Sequence, residues 1–179
     1  GDGNPDDGNT TELQYYFYTE GQQSYLSEYG ENGGYLSVDW SGDEKASIVQ
    51  SMQDYADVAN ITFTETSDRS AANVRWSNYE GASPNSFGAA YPPLGDHQAY
   101  GDIESNFTAY TSLGHSDADA LAPGSFFYLT LTHELGHAIG LKHPHGQDER
   151  NGVNFAPFPG VAVGASSEGG DNDLNSTPY

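Results

Sequence analysis

His133-Glu134-Leu135-Gly136-His137-Ala138-Ile139-Gly140-Leu141-Lys142-His143 is the part of the chain from which the remainder is best read. On a helix, residues four apart lie one above the other, so the rings of His133 and His137 converge on one point. Glu134 sits one position round from the first of them, where a carboxylate can hold a water without being a ligand itself, which makes it the candidate general base. Gly140 tolerates a left-handed backbone and ends the helix, and the turn it permits delivers His143 from outside. Three neutral imidazoles and a water make an open catalytic zinc site, with one place left for substrate. The plain alternative is a set of surface histidines on an ordinary helix. His and Gly are each a few per cent of average composition, so adding Gly140 and His143 to a bare His-Glu-x-x-His lowers the odds of coincidence by about three orders of magnitude.

Working outward, Pro123-Gly124-Ser125 predicts the start of that helix, with Ser125 as its N-cap. Phe127, Leu131, Leu135 and Ala138 then recur at helical spacing and give it an apolar back, leaving His133 and His137 to face out. Further upstream, Leu13-Gln14-Tyr15-Tyr16-Phe17-Tyr18 predicts a first strand, and Ile61-Thr62-Phe63-Thr64-Glu65 a second. Between them Ser41-Gly42-Asp43-Glu44 offers a capping box, and Ile48, Met52, Tyr55 and Ala59 form one apolar stripe, with Met52 assigned to packing. Strand, helix and strand make a βαβ crossover if the two strands are parallel. Asn73 to Ser77 is a third strand, and Gly88 to Tyr91, stopped by Pro92-Pro93, a weaker fourth. Ala99 to Asn106 is polar with little apolar alternation, as expected of a strand with an exposed edge. An ordinary exposed strand or loop fits the same polarity. No element is predicted with assurance after His143.

The His-Glu-x-x-His-x-x-Gly-x-x-His pattern resembles that of the metzincin zinc peptidases. More narrowly, His143-Pro144, the run Tyr55 to Glu65 and the run Ala72 to Trp76 are similar to those of the serralysin family, secreted bacterial endopeptidases, and the resemblance extends from about Leu13 to the C-terminus. It implies an α+β, zincin-like fold with a twisted, mostly parallel sheet of about five strands, a crossover helix and an active-site helix. It also implies one catalytic Zn2+ on His133, His137 and His143, with a water activated by zinc and Glu134. Ala99, Tyr100, Gly101, Asp102, Ile103 and Glu104 would border the cleft, where an extended polypeptide substrate adds to the sheet edge. Zinc-dependent hydrolysis of peptide bonds outside the cell is the function expected, with Ca2+ in the full-length protein and a proteinaceous inhibitor as a further partner.

Composition sets bounds on this. The 179 residues suffice for one domain with a substantial core. Only 35% are hydrophobic, but 13 Tyr and 8 Phe point to an interior built from rings. Five Lys and Arg against 26 Asp and Glu give a net charge of -21, a field that repels nucleic acid and anionic membranes alike. Such acidity suits salty water or carboxylate-bound calcium, and the sequence does not separate them. Cysteine is absent, consistent with an intracellular protein or a bacterial exoprotein, and the resemblance favours the second. A monomer is expected.

The sequence also departs from the family. Metzincins carry a methionine turn beneath the metal, whereas the single Met52 precedes the motif, and Ser176-Thr177-Pro178-Tyr179 is similar to the approach to that turn. A fragment is therefore expected: residues 1–10 as a flexible acidic arm, 11–140 as an upper catalytic subdomain ending in the active-site helix, and 141–179 as the beginning of a lower one, associated with its own missing C-terminal portion. The alternative function is a catalytically incomplete metal-binding fragment of such a protease. His145 stands where the family has Gly; it, His97 and His115 read as ordinary surface histidines. Asp117 and Asp119, or Asp171 and Asp173, are alternating carboxylates that read as solvated.

Overall fold

The first strand, β1 (Thr11–Phe17), keeps a period of two: Tyr15 and Phe17 are buried on one face, while Glu12 and Gln14 on the other are exposed. The computed structural model describes residues 10–25, 35–79, 87–93, 100–111, 117–143, 148–150 and 153–155. Residues 1–9 of the acidic arm, the Gly30–Gly34 loop, His97, His115, His145, Asp171, Asp173 and the segment ending in Tyr179 lie outside them.

Helix α1 (Gly42–Val58) begins as its sequence predicts. The Glu44 N–H donates to the Ser41 hydroxyl at 3.1 Å and the Ser41 N–H to the Glu44 carboxylate at 2.7 Å, a reciprocal cap that contributes about 1 kcal/mol. Ile48 and Met52 are buried and Tyr55 half-buried, but Ala59 departs from the predicted stripe. It is the C-cap, with extended backbone, and is exposed: the helix has already ended at Val58, so helical spacing no longer carries residue 59 to the core.

The helix connects β1 to β2 (Ile61–Glu65), which pairs with it in parallel, Thr11 opposite Ile61 and Tyr15 opposite Glu65. That is the crossover unit read from the sequence. β3 (Val74–Asn78) joins the other side of β1, also parallel, and β5 (Asp102–Ser105) joins β3 in parallel. β4 (Gly88–Ala90) runs antiparallel on β5, so the order is β2-β1-β3-β5-β4 with β4 outermost. The fold is thus α+β with a mostly parallel five-stranded sheet. Tyr15, Phe17, Val74, Trp76 and Ile103 from the sheet join Ile48 and Met52 in one core.

β5 corrects the sequence reading of the edge. It lies between β3 and β4, not at the border, and its polarity is buried rather than exposed. The Arg75 Nε donates to Asp102 Oδ1 in a pair hidden from solvent on both sides, and the Tyr18 hydroxyl donates to Asp102 Oδ2 at 3.3 Å. The Ser24 hydroxyl donates to Glu104 at 2.9 Å. A buried carboxylate is tolerated where such partners satisfy it. Burial pushes the Glu104 carboxyl above its usual range, against the opposing effect of Ser24 and with some help from the Asp102 charge.

Two short helices, α2 (Phe107–Thr111) and α3 (Asp117–Leu121), lead to α4 (Phe126–Ala138). A small hairpin of β6 (Asp148–Arg150) and β7 (Val153–Phe155) follows, antiparallel and separate from the main sheet. The sequence reading left this region without elements, although Asn151-Gly152 between the strands is a strong hairpin signal. Among the described residues no helix is long and apolar enough to cross a membrane.

Candidate metal centre

α4 is the bed of the site. Ser125 caps it, its hydroxyl accepting from the Tyr128 N–H at 3.1 Å and donating to the Ala120 carbonyl. Phe127, Leu131, Leu135 and Ala138 are all buried, as their spacing predicts, and Leu135 has no exposed surface. Full burial of one such side chain is worth about 1.5–3 kcal/mol, so the back of the helix is firmly seated and its front is fixed by consequence. α1 contributes Asp54, which accepts from the Tyr128 hydroxyl at 2.6 Å.

The helix ends in a Schellman turn. The Leu141 N–H donates to the Gly136 carbonyl at 2.8 Å and the Gly140 N–H to the His137 carbonyl at 3.0 Å, with Gly140 at φ +108. A side chain would be strained there, so the glycine of the motif does what the sequence assigns to it. His143 follows and returns to the helix front.

His133, His137 and His143 meet there: each pair of Nε2 atoms is 3.0 Å apart. The His137 Nδ1 lies 2.9 Å from the Leu141 carbonyl, which can only accept, so the ring hydrogen sits on Nδ1 and the Nε2 lone pair faces the centre. Three ring nitrogens this close are a donor set for a cation. Their spacing is compatible with the nitrogen–metal distance of about 2.0–2.1 Å that zinc takes. Among the described residues this is the group that could hold a metal. Burial, reinforced by the two neighbouring rings, pushes the His133 imidazole down to about 4, which keeps it neutral and ready to ligate.

Glu134 is half-buried beside the triad in sequence, and burial pushes its carboxyl up to about 7. Its stem packs on β4: a Cβ added at Gly88 would lie 2.9 Å from the Glu134 Cγ and 3.1 Å from the Thr130 methyl. β4 therefore passes directly over the Glu134 stem. Sequence reading missed this, and the signal was available in the short Gly-Ala-Ala run before a proline pair, a composition suited to an outer strand.

Of the six residues predicted to border the cleft, Tyr100, Gly101, Asp102, Ile103 and Glu104 are engaged in or beside the interior of the sheet. Ala99 lies outside the described residues. Tyr100 uses its carbonyl to accept from the Arg75 guanidinium, and Gly101, Asp102 and Ile103 are buried within the sheet. Glu104 is turned to Ser24. At Gly101 a side chain would meet the Asn73 carbonyl oxygen at 1.8 Å, so this glycine serves the close approach of two strand ends.

No family model matches the chain. It is 30% identical over 139 residues to Metallopeptidase AprA of Pseudomonas marginalis, covering 77% of this chain and 28% of that protein. It is 39% identical over 100 residues to Serralysin B of Dickeya chrysanthemi, covering 52% and 19%. It is 38% identical over 101 residues to Serralysin of Photorhabdus laumondii subsp. laumondii, covering 56% and 20%. The chain thus spans less than a third of the length of these curated relatives. Among solved structures, that of myroilysin aligns with a TM-score of 0.47 at 18% identity, over 76% of this chain and 51% of that one.

Proposed function

The chain belongs to the serralysin-type metzincins, and on that premise we propose that it carries the zinc site and general base of a secreted endopeptidase acting on extended polypeptides. The observation that carries this is the convergence of three Nε2 atoms at 3.0 Å, with Glu134 next to the first of them. His133, His137 and His143 would hold the ion, which when bound supplies a Lewis acid for the scissile carbonyl and makes water more acidic.

The remaining chemistry belongs to the chain. Glu134 takes one proton from the attacking water on its carboxylate as the oxygen bonds to the carbonyl carbon. It then delivers that proton to the leaving nitrogen as the C–N bond breaks. Because burial raises its pKa to about 7, the group can both accept and return a proton near neutrality. The substrate would lie along β4 rather than β5, since β4 is outermost and its Gly88 abuts the base. Calcium and a proteinaceous inhibitor remain expectations from the resemblance and add nothing to this step.

Glu134→Gln tests the reading. The variant should bind zinc as the parent does and lose a factor of about 10²–10⁴ in turnover of a peptide substrate. Equal turnover by the two would remove Glu134 from the mechanism. Zinc binding by the parent with no cleavage of casein would instead assign the chain to metal binding alone.

A further inference from the structure

The turn of α4 that carries His133 and Glu134 is held by one side chain of α1. The Tyr55 hydroxyl donates to the Thr132 carbonyl at 3.1 Å. In a regular helix that carbonyl also accepts from the N–H of residue 136, so Tyr55 grips the turn spanning Thr132 to Gly136, within which His133 and Glu134 stand. The hydroxyl fits only because residue 136 has no side chain: a Cβ there would lie 2.6 Å from the Tyr55 oxygen, 3.7 Å from its Cζ and 3.5 Å from a Leu141 methyl. Without the oxygen, those remaining contacts are ordinary. Burial pushes the Tyr55 phenol up from its ordinary value, so the group stays a donor at every working pH.

From this we infer that Tyr55 is a positioning residue for the metal ligands, and that Gly136 is glycine in order to admit its hydroxyl. The inference rests on the metal-centre reading above. Groups that fix the orientation of ligand-bearing elements typically contribute about 10–100-fold to metal affinity. Tyr55 acts one step further back, through the helix backbone, so an effect near the lower end of that range is expected.

A double-mutant cycle tests it, with zinc affinity measured by competition against a chromophoric chelator and helix content checked by circular dichroism. Tyr55→Phe should weaken zinc binding by about 10-fold while leaving the fold intact. Gly136→Ala should weaken it further, because the new methyl must push the hydroxyl away. In the double variant Tyr55→Phe/Gly136→Ala the clash disappears, so zinc should bind more tightly than in Gly136→Ala alone. If the double variant binds no better than Gly136→Ala, or Tyr55→Phe binds like the parent, the inference is overturned. Should Gly136→Ala fail to fold, the Tyr55→Phe measurement decides alone. A parent that binds no zinc overturns the metal-centre reading itself, an outcome separate from any comparison among variants.

Discussion

Gly101→Ala is a sharp test of the corrected edge, because two other glycines supply its control. Gly101, Gly21 and Gly124 share a left-handed backbone, with φ of +77, +80 and +86. Nothing lies within 4 Å of a Cβ at Gly21 or Gly124, whereas at Gly101 the Asn73 carbonyl oxygen is 1.8 Å away. The conformational cost of a left-handed alanine, about 1 kcal/mol, is therefore common to all three, and the steric cost belongs to one. To admit the methyl, the Asn73 peptide must retreat by about 1 Å from a close-packed position. The residue that carries it is pinned: the Asn73 N–H donates to the Gln14 carbonyl and the Gln14 N–H to the Asn73 side chain, each at 2.8 Å. Arg75 N–H donates to Gly101 itself at 2.8 Å. Losing two of these bonds costs about 1–3 kcal/mol. Gly101→Ala should thus destabilise by roughly 2–4 kcal/mol, against roughly 1 kcal/mol for Gly21→Ala and Gly124→Ala. Urea unfolding followed by the fluorescence of Trp40 and Trp76, at fixed metal concentration, measures all three. If Gly101→Ala is no less stable than Gly21→Ala and instead raises KM for a peptide, the residue borders substrate after all and the strand assignment fails.

Asp102→Asn leaves the Arg75 guanidinium buried without its counter-charge and should cost about 3–5 kcal/mol in the same unfolding assay; a cost below about 1 kcal/mol would show that the pair is not buried in solution. Ser41→Ala removes one half of the α1 cap and should cost about 1 kcal/mol without altering zinc affinity. The pH dependence of the metal-free chain contains two opposed parts. His133 contributes stability that is present above 6.5 and lost as pH falls through about 4, while Glu134 contributes stability that is present below 4.5 and lost as pH rises through about 7. Relative to the parent, Glu134→Gln should therefore lose stability on acidification across that window and His133→Gln should gain it. Both side chains are partly exposed, which reduces the size of each effect. Parallel stability curves for the three proteins would contradict the shifted values.

The residues that were legible in the sequence act through local rules. Ser41 with Glu44, Ser125 before Phe126, Gly140 after the helix, and the stripe through Leu131 and Leu135 each depend on neighbours within a few positions, and each stands where it was expected. The convergence of His133, His137 and His143 was legible for the same reason, since two turns of helix and one glycine bend bring the rings together. What escaped was set at long range. The polarity of Asp102 and Glu104 suggested exposure, but their partners Arg75, Tyr18 and Ser24 come from up to 84 positions away and bury them. The strand at Gly88 to Ala90 was read, but nothing local showed that it would close the edge of the sheet against Glu134. Tyr55 looked like core on a helical stripe because spacing reports which face a ring occupies and says nothing of where its hydroxyl reaches.

The bond from the His137 ring to the Leu141 carbonyl ties the second histidine of the triad to the very loop that carries the third. Neither can be moved alone: shifting the bend that presents His143 also releases the hydrogen that fixes which nitrogen of His137 is available. A redesign seeking a wider ion, or a different number of ligands, would thus have to replace bend and ring as one cassette, and point changes at either would degrade both.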